Sequence, residues 1–159
     1  MAEANFGLVY GGGDIGLMGV IARAVHQHAG YVYGVIPASL EAREGIAYEV
    51  ADELVITTSM AERKERMFER ADAFLIMAGG IGTLDEWFEV LTLKQLGYHQ
   101  KPIIVLNTGG IFDGIFSAMQ HLEDQGFVSP KYANHATMAD SVDEAIATLE
   151  TALGNIKTN

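Results

Sequence analysis

The chain has 159 residues, 18 glycines, 3 prolines, no cysteine and a formal net charge of −11. Its length suits one domain over 1–159, and a hydrophobic share of 49% with 19% charged residues is globular rather than disordered. The lack of cysteine excludes a disulfide scaffold, a zinc finger and a thiol nucleophile, and the acid excess argues against a nucleic-acid or anionic-membrane surface.

No targeting segment opens the sequence, since Met1-Ala2-Glu3-Ala4 is short and acidic. The apolar run Ala73 to Ala78 is far too short to span a bilayer. A cytoplasmic protein without membrane contact is the expectation.

Phe6 to Tyr10 predicts a strand that ends in Gly11-Gly12-Gly13, and Ile15 to Ala29 a helix with Gly30 at its C-terminal cap. Tyr31 to Ile36 predicts a second strand, stopped by Pro37, and Leu54 to Ile56 a third. A helix over Met60 to Arg70 is followed by a strand over Ala73 to Met77 that ends in Gly79-Gly80. Thr83 to Leu96 reads as a helix closed by Gly97, and Ile103 to Leu106 as a strand that ends in Asn107-Thr108-Gly109-Gly110. Ile111 to Gln125 is helical, Ala136 to Ala139 a last short strand, and Val142 to Leu153 a final helix before a polar tail. Continuous apolar strands alternating with helices predict an α/β fold: a doubly wound, mainly parallel sheet with helices on both faces. Ligands in such sheets bind beyond the carboxyl ends of the strands, where the glycines cluster.

Gly11-Gly12-Gly13-Asp14-Ile15-Gly16 satisfies the G-x-G-x-x-G pattern, but the strand ending Gly34-Val35-Ile36-Pro37 lacks the acid that holds a dinucleotide ribose. The segment reads equally as a ligand loop or as a tight turn with close helix–sheet packing. Gly79-Gly80-Ile81-Gly82-Thr83 follows a strand and opens a helix, so its free amides and the helix dipole suit a phosphate. No lysine follows as in a P-loop, so a monophosphate fits better than a triphosphate. Thr83-Leu84-Asp85-Glu86 is also a capping box, which by spacing is the favoured role for Glu86.

On the helix from Met60, the residues Met60, Met67, Phe68 and Ala71 form an apolar arc with Lys64 near its middle and Arg63 at its flank. A lysine there either snorkels to the surface or, with Arg63, turns positive charge toward the ligand edge. The next helix is apolar on two sides, with Leu84, Trp87, Phe88 and Leu91 on one and Val90 and Leu93 on the other, so the second side packs either under another helix of the same chain or, as the short chain favours, on a second subunit of a homodimer. His26, His28, His99, His121 and His135 have no metal-ligand spacing and read as surface or packing residues.

Taken in order, Phe6 to Gly19, Gly34-Val35-Ile36-Pro37, Arg63-Lys64 and Gly79 to Glu86 resemble the Lonely Guy (LOG) family, whose members are cytokinin riboside 5′-monophosphate phosphoribohydrolases often labelled lysine decarboxylases. The resemblance covers about Ala4 to Leu153. It implies a Rossmann-like fold, a homodimer, no metal or other cofactor, and hydrolysis of the N-glycosidic bond of a nucleoside 5′-monophosphate. By position it implies Arg63 and Glu86 as catalytic, with Glu44, Lys64 and Thr92 as substrate contacts. Gly80, Ile81, Gly82 and Thr83 match the phosphate loop, and Gly79, Asp85, Gly12 and Gly13 complete the substrate side. Ala78 stands where the family usually has proline, and Ala61 where it usually has histidine. Family chains also begin with a further strand, glycine/serine loop and helix before the point matching Asn5, so the resemblance implies that the first βα unit is lacking. The other reading open to the sequence is a non-catalytic carrier of a nucleotide or molybdenum cofactor, which shares the fold and the glycine loops.

Overall fold

The computed structural model describes residues 1–44, 50–129 and 135–156, without the side chains of 42–44 and 155–156. By its contacts the chain forms two compact units, Met1–Ala71 and Asp72–Asn159. Each contains a three-stranded parallel sheet, so the single sheet expected from sequence is seen as two ladders.

In the first unit the sheet runs β1 (Leu8–Tyr10), β2 (Val32–Pro37) and β3 (Glu53–Thr57) in that spatial order. The register pairs Tyr10 with Gly34 and Pro37 with Thr57. Every residue of the central strand β2 is buried, as expected of a parallel strand covered on both faces. Helix α1 (Gly16–Gln27) packs on β1 and β2, where Ala22 and Val25 join Leu8, Tyr10 and Val32 in one cluster. Helix α3 (Met60–Arg70) packs on all three strands, and its Arg70 guanidinium sits 5.6 Å from the Tyr33 ring. Val32 and Tyr33 are successive strand residues and point to opposite faces. Helices α1 and α3 therefore cover opposite faces, which is double winding within this unit.

Helix α2 (Ala38–Glu44) has no counterpart in the sequence reading. Pro37 does not stop the strand before it but is its last residue, and α2 begins at Ala38. The turn after α1 also differs. Ala29, not Gly30, takes the left-handed conformation (φ 54°), and its amide donates to His26 O while that of Gly30 donates to Val25 O.

In the second unit β4 (Phe74–Ile76), β5 (Ile103–Leu106) and β6 (Thr137–Ala139) are parallel, with β5 central and wholly buried. Helix α4 (Ile81–Gln95) follows β4, and α5 (Asp113–Asp124) follows β5. Trp87 of α4 is fully buried, stacked on Phe88 and met edge-on by Phe112 at 5.3 Å. Helix α6 (Val142–Ile156) packs on β5 and β6 and extends three residues beyond Leu153 into the expected polar tail. Gly97 and Gly126 adopt positive φ after α4 and α5, which a glycine does without a Cβ penalty.

Candidate active site

Among the described residues of the first unit Arg63 is the buried cation, 9% exposed, although the helical pattern centres Lys64 on the apolar arc. Lys64 is half-buried. The difference arises because α3 runs along the sheet face with its first turn against β2 and the carboxyl end of β1, which is where Arg63 meets the strands. The Arg63 Nε donates to Val35 O at 3.2 Å, and the guanidinium reaches Gly11 at the carboxyl end of β1. Serine and glutamate fix the start of this helix. Ser59 Oγ accepts from the Glu62 amide, and Glu62 accepts from the Thr58 amide and hydroxyl at 2.9 and 2.7 Å. Those Thr58 bonds, backbone first, hold the Glu62 carboxyl below its usual range.

The Gly11–Gly13 loop serves packing at its second position. Gly12 has φ +76°, and a Cβ there would stand 3.1 Å from that of Ile36. Gly12 and Gly13 are both buried. At Gly11 the space a Cβ would fill is occupied by the Arg63 guanidinium, so this residue is small for the sake of a polar side chain.

In the second unit the chain leaves β4, passes the exposed Ala78, Gly79 and Gly80, and enters α4 at Ile81. Gly80 is the N-cap, with extended backbone and no side chain bonded to the first turn. The helix thus starts two residues before the expected Thr83, and the Thr83–Glu86 capping box does not form because Thr83 already lies inside the first turn. The amides of Ile81, Gly82 and Thr83 precede the first intrahelical bond, Leu84 N–H to Gly80 O at 3.2 Å. They make up the positive end of the helix dipole, and the N-cap residue offers them no side-chain acceptor. Gly80 and Gly82 face open space, whereas the Thr83 hydroxyl lies over the α-carbon of Gly79. Glu86 is half-buried one turn past Gly82, on the same side of the helix. Asp85 and Thr92 are exposed and share a neighbouring stripe two turns long. Glu44 ends α2, and its side chain lies outside the described residues.

Residues 18–149 match the protein family described as "Possible lysine decarboxylase". The chain belongs to this family, the Lonely Guy (LOG) family. It is 41% identical over 150 residues to a cytokinin riboside 5′-monophosphate phosphoribohydrolase of Arabidopsis thaliana, covering 94% of this chain and 70% of the relative. It is 42% identical over 146 residues to the enzyme of that name from Mycobacterium tuberculosis, covering 92% of this chain and 78% of the relative. Among solved structures, the molybdenum cofactor binding protein of Rippkaea orientalis superposes with a TM-score of 0.71 at 18% identity, over 96% of this chain and 80% of that one. That likeness is one of fold, and the fold is Rossmann-like.

The two single-residue departures from the family pattern both fall on exposed positions, Ala61 on α3 and Ala78 before the glycine loop. Neither alters the core. Of the second apolar side expected of α4, Val90 is buried and Leu93 is half-buried. The Val90 carbonyl accepts a hydrogen bond from His99 Nε2 at 2.8 Å. His99 is therefore a packing residue, and among the described residues no group of histidines and carboxylates could hold a metal ion. No helix among them is long and apolar enough to cross a membrane. Sequence reasoning missed Asn107 and Asp113, which bond side chain to side chain at 2.7 Å beside the third glycine cluster. The one signal available was an Asn-x-x-Gly turn at a strand end.

Proposed function

We propose that this LOG-family chain hydrolyses the N-glycosidic bond of a nucleoside 5′-monophosphate, a cytokinin riboside monophosphate or AMP, to free base and ribose 5-phosphate. The observation that carries the reading is the start of α4. Uncapped amides, two glycines open to solvent and a carboxylate one turn on suit a phosphate with a reacting carbon nearby. The names of the relatives, shared over more than nine-tenths of this chain, support the same reaction.

In this reading Gly79, Gly80, Ile81, Gly82 and Thr83 hold the phosphate. Cleavage breaks the bond between C1′ and the base nitrogen. The electron pair leaves with the base, which takes up a proton, and C1′ becomes oxocarbenium-like. Water adds to C1′ and gives up a proton to restore balance. Glu86 stabilises the positive carbon and orients the water, and Arg63 supplies positive charge to the substrate. Lys64, Glu44, Asp85, Thr92, Gly12 and Gly13 are the further substrate-side residues implied by position. The reading treats 1–159 as one nucleotide-binding domain acting as a homodimer. The carrier reading rests on a likeness of fold and has no observation of its own.

The test is incubation with AMP and with isopentenyladenosine monophosphate, followed by chromatography of the free base. Release by the wild type that falls by about a hundredfold or more in Glu86→Ala supports the reading. No release of base from either nucleotide overturns it.

A further inference from the structure

A buried amide side chain controls the turn after β5. Asn107 is 5% exposed, and burying such a group costs free energy unless its hydrogen bonds are made. Here they are made. The side-chain oxygen accepts from the Phe112 amide at 2.8 Å, and Nδ2 donates to Asp113 Oδ1 at 2.7 Å. The Asn107 carbonyl accepts from Gly110 N–H at 2.9 Å, and its own amide donates to Ala139 O at 2.8 Å at the end of β6. Three of these bonds fix residues 107–113 to one another, and the fourth ties Asn107 to the end of β6.

The held turn is itself open. Gly109 and Gly110 both take left-handed backbone (φ 70° and 72°). At Gly110 a Cβ would press on the Asp113 carboxylate, but at Gly109 it would meet nothing. Thr108 and Gly109 are exposed, and Ile111 is 59% exposed despite being apolar. A turn this tightly bonded and this uncovered is organised for something outside the fold.

Its location says what. β4 and β5 are parallel neighbours, with Ile76 beside Val105. The Thr108–Gly110 turn therefore leaves the same sheet edge as the Gly79–Gly82 loop, on the adjacent strand, about 5 Å across. The Asp113 carboxylate makes the turn a poor seat for a second anion. What remains of a nucleotide whose phosphate lies at α4 is its uncharged nucleoside.

We infer that the Thr108–Gly110 turn is a rigid wall against the nucleoside part of the substrate, and that Asn107 and Asp113 are the positioning residues that hold it. This rests on the proposed phosphoribohydrolase reading. The experiment measures AMP hydrolysis by the full chain, with inorganic phosphate as competing inhibitor. Asn107→Ala and Asp113→Ala raise KM for AMP by about tenfold, the scale of one lost charge-assisted hydrogen bond. Inhibition by phosphate stays within about twofold of wild type, because the α4 loop is untouched. The double variant Asn107→Asp with Asp113→Asn exchanges donor and acceptor while keeping the bond to Phe112, and it recovers most of the wild-type KM. Asp113→Ala is the safer single variant, since Asp113 is exposed. An unchanged KM in active variants overturns the inference, as does a loss of phosphate affinity equal to the rise in KM. Absence of turnover by the wild type overturns the functional reading, and this inference with it.

Discussion

The guanidinium of Arg63 lies against the α-carbon of Gly11, so that a Cβ at residue 11 would stand 3.2 Å from Cζ and nearer still to Nη2. The backbone of Gly11 is not in the left-handed region, so alanine is conformationally allowed there. Its only consequence is to move Arg63, whose Nε is tied to the Val35 carbonyl. Gly11→Ala is expected to lower kcat/KM by about tenfold or more, with Tm shifted by only a few degrees. Base-release kinetics and thermal unfolding on the same sample check this. Full activity in that variant would show that the seat of Arg63 is irrelevant to the reaction.

The α4 glycines separate folding from binding. Gly82 faces open space inside the first helical turn, so Gly82→Ala should stabilise the fold by up to about 1 kcal/mol through helix propensity. The same methyl stands beside the uncapped amides and should raise KM for the nucleotide several-fold. Gly79→Ala behaves differently, because its Cβ would collide with the Thr83 hydroxyl and lower Tm and affinity together. A Gly82→Ala protein that gains stability and keeps its KM would remove the phosphate from this helix end.

Much of this architecture is legible in the sequence. All six strands fall within two residues of their sequence-predicted bounds, and the wholly buried β5 matches in full because its continuous apolar run leaves little choice of state. The α3 bounds match in full for a local reason, the Ser59 cap with Glu62 behind it. What escaped was decided by tertiary packing. Arg63 and Lys64 are adjacent, and a helical wheel cannot tell which cation a neighbouring strand end will accept. Thr83 signals the start of α4 by its capping chemistry, whereas an exposed Gly80 fills that role without any side chain. The Asn107–Asp113 bond is invisible to periodicity, since neither residue belongs to an apolar pattern.

Arg70 offers a control on the same helix as Arg63. Its guanidinium lies 5.9 and 5.6 Å from the rings of Tyr31 and Tyr33, at the far end of α3 from the cap. Arg70→Ala should cost about 0.5–1 kcal/mol, read as a lower urea midpoint. Activity at saturating nucleotide should be unchanged. A loss of turnover without a loss of stability would mean that α3 carries catalytic charge beyond Arg63.

His99 sets a pH limit on stability. It is 8% exposed, bonded through Nε2 to Val90 O and through Nδ1 to the Lys101 amide, an arrangement that requires the neutral ring. Burial, with Lys94 and Lys101 nearby, lowers its pKa below the ordinary 6.5. The unfolded chain then binds a proton that the folded chain refuses, so stability is full above about pH 6.5 and falls as the pH drops toward the lowered folded value. Below that value both states are protonated and the loss levels off. In His99→Gln the side chain keeps a donor and an acceptor but has no proton to gain. Thermal unfolding from pH 8 to 5 should therefore show a smaller acid decline for the variant than for the wild type, although the variant starts lower at pH 8. Parallel curves would mean that His99 does not report on this range at all.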